Sequence, residues 1–443
     1  MLTDEPRDSS SDNGVFELCT LESSKGTYKI IQYSLLYRFT SQMRDNDLSF
    51  ATLQRAFERL IELYPILRGY RVQLPARNII DTADHSKPGA LFEVIDASQM
   101  TVDETADIDR LIAGTIACFT GGYLVAMSAS HIVADGVAVY LLLRQWASLA
   151  QRFAAGDDES PMPELSVDFD HPGFWAKLEA HPHDTHPFVE YINSQDFGSM
   201  SALQAKLSTW YATGSLDGGN TLTTRVLHVS PAAIDAIAKE YDTPNDGRPA
   251  LHGAQILYAL LWQRYVATVI EMQTESDMAY TLLVFLTIMC SLRQMTPAPN
   301  YIGNAVGAVL VPCDTKDVLT MSIIDLARLV KDHLRQLTPG ATVHYLNEAF
   351  GGNGSFFAKS VYVCARVESR LTISSMSRLA YFDIGFGHGK PIALLAGTLP
   401  TEGMSFWLPS ADGGIDMYYG LKDNVHTVLK RDIVLSKFIE FIN

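Results

Sequence analysis

The stretch GYLVAMSASHIVADGVAVYLLLRQWASLAQRF, residues 122–153, decides how this chain is read. Residues 122–129 form a short apolar run, the pattern of a buried strand. Residues 137–153 place Val139, Leu142, Leu143, Trp146, Leu149 and Phe153 on one face of a helix. The link between them is SHIVADG, residues 130–136. Asp135 stands where an N-cap belongs, and Gly136 lets backbone or ligand approach closely. His131 follows the strand directly, and a strand-to-helix junction at a sheet edge is a common place for chemistry. A neutral imidazole there can take a proton from an attacking group and return it to a leaving one.

Working outward, residues 49–64 repeat the helical pattern with Leu53, Ala56, Phe57, Leu60, Ile61 and Tyr64, and Pro65 ends it. A strand-like segment at 70–74 follows. Beyond the opening stretch, residues 155–222 carry GDDESPMPE, DHPGF, HPHDTHP and SLDGGN with little periodic apolar pattern, and read as a crossover linker. The second half opens with a strand at 223–228. Ser230 and Pro231 mark a helix start, and 250–272 reads as a buried helix. Strand patterns recur at 278–290, 306–312, 361–367, 392–398, 404–408 and 415–419, and helical ones at 321–336 and 425–441. The expected class is mixed α/β (α+β), with a disordered tail at 1–14, one domain at 15–154, the linker, and a second domain at 223–443.

Composition narrows the partners. The net charge of −16 argues against nucleic acid and against anionic membrane surfaces. The acidic, polar residues 1–14 lack the apolar core of a signal peptide. The densest apolar run, 278–290, is 13 residues, too short to span a bilayer. Cys19, Cys118, Cys290, Cys313 and Cys364 are scattered, which speaks against a disulfide framework or a zinc site. A cytoplasmic monomer is expected. No GxSxG nucleophile elbow is present, so a covalent intermediate on such a serine is not expected.

These residues resemble the BAHD acyltransferases, whose signatures are HxxxD(G) and, towards the C-terminus, DFGWG. His131-Ile-Val-Ala-Asp135-Gly136 matches the first, and Asp383-Ile384-Gly385-Phe386-Gly387 is similar to the second. CFTGG at 118–122, LYPILRG at 63–69, and Leu292-Arg293 followed by Tyr301-Ile302-Gly303-Asn304 resemble further family segments. The resemblance implies two similarly built domains, each a sheet with helices, and an active-site channel between them. It implies acyl-CoA as co-substrate, no permanently bound cofactor, and a small-molecule acceptor with a hydroxyl or amine. It makes His131 the base, pairs Asp135 with Arg293 to hold the loop, and gives Asp383, Gly385 and Gly387 a structural role. Where the family carries Thr-Ser-Trp, this chain has Ser374, Ser375 and Met376. Either serine could donate to a tetrahedral oxyanion or bond to backbone. Peptide-synthetase condensation domains usually place a second His before the motif. Ser130 stands there, so a carrier-bound donor is the alternative, beside a family member repurposed for other chemistry.

Three other features carry no site. His181, His183, His186 and Asp184 lie in a Pro-flanked polar stretch and are not read as metal ligands. GFGHGK at 385–390 lacks phosphate-loop spacing, and 351–354 reads as a glycine-rich loop. Arg366, Arg370, Arg378 and Lys390 are the basic residues that could meet the phosphates of CoA.

Overall fold

In a computed structural model of the chain the residues described are 15–17, 30–38, 49–64, 67, 70–73, 78–81, 90–96, 112–119, 122–131, 133–157, 174, 176–178, 180, 184–194, 222–241, 251–272, 283–295, 298–350, 359, 371–387, 389–397, 400 and 402–442. The tail at 1–14, most of 155–222, the loop at 351–354 and the strand expected at 361–367 lie outside them. So do Pro65, His181, His183, Arg366, Arg370, Cys19 and Cys364.

In chain order the elements are β1 (Val15–Glu17), β2 (Ile30–Arg38), α1 (Phe50–Leu63), β3 (Tyr70–Gln73), β4 (Asn78–Asp81), β5 (Ala90–Asp96), β6 (Ile112–Phe119), β7 (Gly122–Ser130), α2 (Gly136–Ala154), α3 (Pro187–Ser194), β8 (Leu222–Val229), α4 (Pro231–Tyr241), α5 (Gly253–Met272), β9 (Leu283–Ser291), β10 (Val306–Asp314), α6 (Thr315–Thr320), α7 (Ile323–Arg335), α8 (Pro339–Phe350), β11 (Leu371–Ser375), β12 (Ala393–Ala396), β13 (Met404–Pro409), β14 (Ile415–Lys422), α9 (Asp423–Leu429) and β15 (Glu440–Ile442). Short 3-10 turns occupy Leu292–Met295, Tyr381–Asp383 and Leu435–Lys437.

The chain divides into two compact units. The first is Met1–His181 with Ser291–Ala305 and Ala380–Thr398; the second is Pro182–Cys290, Val306–Leu379 and Leu399–Asn443. The units are thus discontinuous, in contrast to the contiguous halves drawn from sequence. Two short returns of the chain, one carrying Arg293 and the other the Asp383 loop, join the unit that holds His131.

In the first unit the main sheet runs β12-β2-β7-β6-β5, and β1-β4-β3 form a small one. β2 and β7 pair antiparallel with Tyr33 opposite Met127. Leu35, Ile116, Val125 and Met127 are fully buried, as strand alternation on a covered face requires. α1 starts at Ser49, whose Oγ accepts from Thr52 N at 3.2 Å, and packs beside α2. Trp146 of α2 is fully buried, donates from Nε1 to Leu53 O at 3.0 Å, and meets the Phe57 ring at 5.1 Å. Each such buried side chain contributes on the order of 1.5–3 kcal/mol. Gly114 of β6 lies under Phe57; a Cβ there would stand 2.8 Å from that ring.

In the second unit one mixed sheet runs β10-β9-β11-β13-β14-β8-β15. β11 pairs parallel with β9 and β13, while β14 pairs antiparallel with β13 and β8. α5 is the helix expected to be buried, and Ile256, Leu257, Leu260, Leu261, Trp262 and Val266 join the core with Leu371, Ile373 and Trp407. α4, α7 and α9 pack beside it. Ser230 Oγ accepts from Ala233 N at 3.2 Å, as its place before Pro231 requires.

One expectation is corrected. Residues 425–441 are not one helix. α9 ends at Leu429, and Asp432 Oδ1 accepts from the backbone N–H groups of Val434 and Leu435 at 2.9 Å, which starts a new turn. Leu435, Phe438 and Ile439 then reach the core, and Glu440–Ile442 pair with β8 as an edge strand. Apolar spacing that suits a helix is met by two shorter pieces, because the strand edge supplies backbone partners that a helix would forgo.

Candidate active site

The turn between β7 and α2 is built by local bonds. Val133 N and Ala134 N donate to Ser130 O at 3.1 and 3.2 Å, closing the chain back on the strand end. Asp135 Oδ1 accepts from Ala138 N at 2.9 Å, the N-cap that the sequence placed there. His131 is half-buried between them.

The other carboxylate oxygen reaches a distant part of the chain. Arg293 Nη1 donates to Asp135 Oδ2 at 2.6 Å, and Ala305 N donates to the same oxygen at 2.8 Å. Asp135 is 0% exposed and Arg293 3%, so the pair is shielded from water. Arg293 also donates to carbonyls of the same return, Nε to Tyr301 O and Nη2 to Gly303 O, both at 2.7 Å, and Nη1 reaches Ser291 Oγ at 3.4 Å. Leu292 N donates to Ala305 O at 2.8 Å, closing the loop at its base. The 301–305 segment is therefore held at three points around one buried ion pair.

That segment presents Asn304 to His131. Asn304 Nδ2 donates to His131 O at 2.7 Å and lies 3.2 Å from His131 Nδ1. Asn304 is 1% exposed, and its Oδ1 has no hydrogen-bond partner among the described residues. The amide orientation follows from the carbonyl contact, because the flipped amide would set oxygen against oxygen.

The DFGWG-like loop packs on the same helix and sheet. Tyr381 donates to Gly136 O at 3.3 Å, and its ring lies 5.0 Å from Tyr140 and 5.7 Å from Tyr33. Burial, and then the Asp135 charge, push the Tyr33 hydroxyl well above the usual tyrosine range; Tyr381 is raised by burial first and by its tyrosine neighbours and Asp135 after. Both stay protonated, and Tyr381 serves as a donor. Tyr37 Oη donates to Ile384 O at 2.9 Å, Gln151 Nε2 donates to Gly385 O, and Phe386 is fully buried against Trp146 at 5.1 Å. Gly387 has φ +89°, the left-handed region a side chain resists. Asp383 is exposed and bonded to Lys390 at 2.7 Å; that bond and the lysine charge hold its carboxyl below the usual range. The apolar Ile384 and Phe386 are buried and carry the packing of this loop.

Ser374 and Ser375 lie on β11 in the second unit. Alternation turns them to opposite faces. Ser375 Oγ lies 3.0 Å from Ser377 Oγ. Ser374 is half-buried on the other face, opposite Met289 and Phe406. Sequence reading assigned no role to Asn304 or to the Tyr33, Tyr140 and Tyr381 cluster. The only signal for Asn304 was its place in YIGN, directly after the Gly whose carbonyl Arg293 holds. Among the described residues no helix is long and apolar enough to cross a membrane, and no group of three His, Cys, Asp or Glu side chains could hold a metal ion.

The family model described as Transferase family matches residues 96–433, so the chain belongs to that family, the BAHD acyltransferases. Agmatine hydroxycinnamoyltransferase 1 of Oryza sativa subsp. japonica is 21% identical over 328 residues, 72% of this chain and 68% of that protein. Stemmadenine O-acetyltransferase of Catharanthus roseus is 20% identical over 345 residues, covering 76% and 68%. Among solved structures, F. graminearum TRI101 complexed with coenzyme A and T-2 mycotoxin superposes with TM-score 0.73 at 15% identity, covering 97% of this chain and 100% of that one. The fold is that of two-domain BAHD acyltransferases, and the chain is an acyltransferase that takes acyl-CoA as co-substrate.

Proposed function

We propose that this protein moves an acyl group from acyl-CoA to a hydroxyl or amine of a small molecule by direct transfer, with His131 as general base. The observation that carries the reading is the half-buried imidazole on a turn locked by the Asp135–Arg293 pair. His131 takes the proton from the acceptor as its oxygen or nitrogen bonds to the thioester carbonyl carbon. The tetrahedral oxyanion then collapses, the C–S bond breaks, and the imidazolium returns the proton to the CoA thiolate. Asp135, Gly136 and Arg293 hold the histidine turn, and Asp383, Gly385 and Gly387 hold the loop packed on α2. We place the protein in the cytoplasm as a monomer, with residues 155–222 as the crossover between the two halves. The acceptors in the relatives' names include both an amine and a hydroxyl, and either chemistry fits a histidine base.

The test is thiol release from a panel of acyl-CoAs with candidate acceptors. His131→Ala should lower turnover by roughly 10²–10⁴, the usual worth of a positioned base. Undiminished activity in that variant would end the assignment. Initial-rate plots at several fixed acceptor concentrations should intersect; parallel lines, or a protein acyl adduct that forms and turns over, would show a covalent route instead.

A further inference from the structure

We infer that residues 184–194 are an acid-sensitive latch, docked on α8 while His186 and His344 are neutral and released as they take up protons. These residues stand where the chain first joins the second unit, which begins at Pro182. Two bonds fasten them to α8. Asp184 Oδ2 accepts from Thr338 Oγ1 at 2.8 Å, and the same hydroxyl oxygen accepts from Ala341 N at 3.1 Å, so the cap of α8 also clasps the segment. His344 Nδ1 accepts from His186 N at 3.0 Å. An imidazole accepts at Nδ1 only when it is neutral with its proton on Nε2. Once protonated, both nitrogens are donors, and Nδ1–H would face the His186 N–H.

The second histidine works in the same direction. His186 stands directly before α3; its carbonyl accepts from Val189 N at 2.9 Å and Glu190 N at 3.3 Å, with Pro187 at the first helical position. Its side chain is buried, its ring lies 5.2 Å from that of Tyr345, and Val189 and Ile192 of α3 are buried as well. Of the ionisable groups around it, His344 and Tyr345 come from α8, while Asp184 and Glu190 lie on its own segment and are exposed. Burial, and then the charge of His344, hold the His186 imidazole down at about 4, below the ordinary value of about 6.5. An imidazole set free by release regains the ordinary value, so proton uptake favours the released state. The docking contribution of His186 is full above pH ~6.5 and is lost as pH falls from there through about 4.

Hydrogen exchange at the amides of His186, Val189 and Glu190 tests the latch, read as protection factors so that the intrinsic pH dependence of exchange divides out. With a docked value of about 4 and a free one of about 6.5, opening should be favoured about 30-fold more at pH ~5 than at pH ~7.5. Protection at these amides should fall by about that factor, and recover on return to pH ~7.5, while Leu260 and Trp262 in α5 keep theirs. His186→Phe keeps a ring and the backbone donor but cannot titrate; His186→Gln serves if the phenylalanine protein does not fold. Either should remove most of the fall. Adding His344→Gln, whose amide does not titrate, should leave protection constant to within about 2-fold. Parent protection at pH ~5 within about 2-fold of that at pH ~7.5 would overturn the inference. So would a fall that persists in full in the double variant, or a parallel loss at Leu260 and Trp262, which is what acid unfolding of the whole unit gives.

Discussion

Replacing Asp135 with Asn keeps the side chain's shape and reverses what half of it offers. Oδ1 can go on accepting from Ala138 N, so the N-cap of α2 survives. The other half becomes an NH2 group facing Arg293 Nη1 and Ala305 N, both donors, at positions that were 2.6 and 2.8 Å from oxygen. The Arg293 guanidinium, 3% exposed, is left without its counter-charge, which costs about 3–5 kcal/mol. The orphaned Ala305 N–H adds about 1–3 kcal/mol. Together these approach the whole stability of a typical domain, roughly 5–15 kcal/mol. Arg293→Gln should cost about 3–5 kcal/mol as well: Asp135 keeps its two backbone donors but loses the charge, while Tyr301 O and Gly303 O lose theirs. In the double variant Asp135→Asn/Arg293→Gln both charges leave together, and the loss should fall short of the sum by about 2–3 kcal/mol. Urea titration of the four proteins measures the sum. Hydrogen exchange at the amides of Ala138 and Ala305 localises it: Ala305 should lose most protection in Asp135→Asn, which removes its acceptor, while Ala138 keeps its acceptor in both single variants. Losses that add to within about 0.5 kcal/mol would mean that the two residues do not act on each other, and would refute the closed loop described above.

Three further outcomes follow from the structure. Gly303→Ala should lower both thermal stability and turnover, because the new methyl group overlaps the Tyr301 hydroxyl, whose ring is itself stacked on Phe174 at 4.1 Å; a variant that melts with the parent would show the segment to be pliable. Tyr381→Phe should cost about 1 kcal/mol by removing the bond to Gly136 O, measured by urea unfolding against the parent. His228 binds Asp416 through Nδ1 at 2.7 Å and Asp412 through Nε2 at 3.2 Å; burial opposes its charge, but these bonds and the two carboxylate charges outweigh burial and raise its pKa. Its stabilising share is therefore full below the unfolded value of about 6.5 and is lost as pH rises through the higher folded value, and His228→Gln should flatten that slope in a melting series from mildly acidic to alkaline pH.

Much of the fold was legible because its signals are local. β7, the turn and α2 follow from an apolar run, a cap and a periodic face, each settled by residues within a few positions of one another. The same holds for α1, α5 and the Ser230 cap. The helix expected at 425–441 failed for the opposite reason, because pairing with β8 is a long-range event that a window of sequence does not contain. The site divides along the same line. His131 as a candidate and Asp135 as an N-cap came from the turn itself, whereas Arg293 entered through family resemblance, since nothing in the intervening residues says that it returns to Asp135. Only tertiary structure decided that Arg293 divides its donors between Asp135 and the carbonyls of Tyr301 and Gly303, that Asn304 in that segment meets the imidazole, and that Tyr381 reaches the first carbonyl of α2. The physical reason is that a buried polar group must find its partner wherever the folded chain brings one, at whatever distance in sequence. Local propensity chooses the elements, but the hydrogen bonds of the interior choose which distant residues share a site.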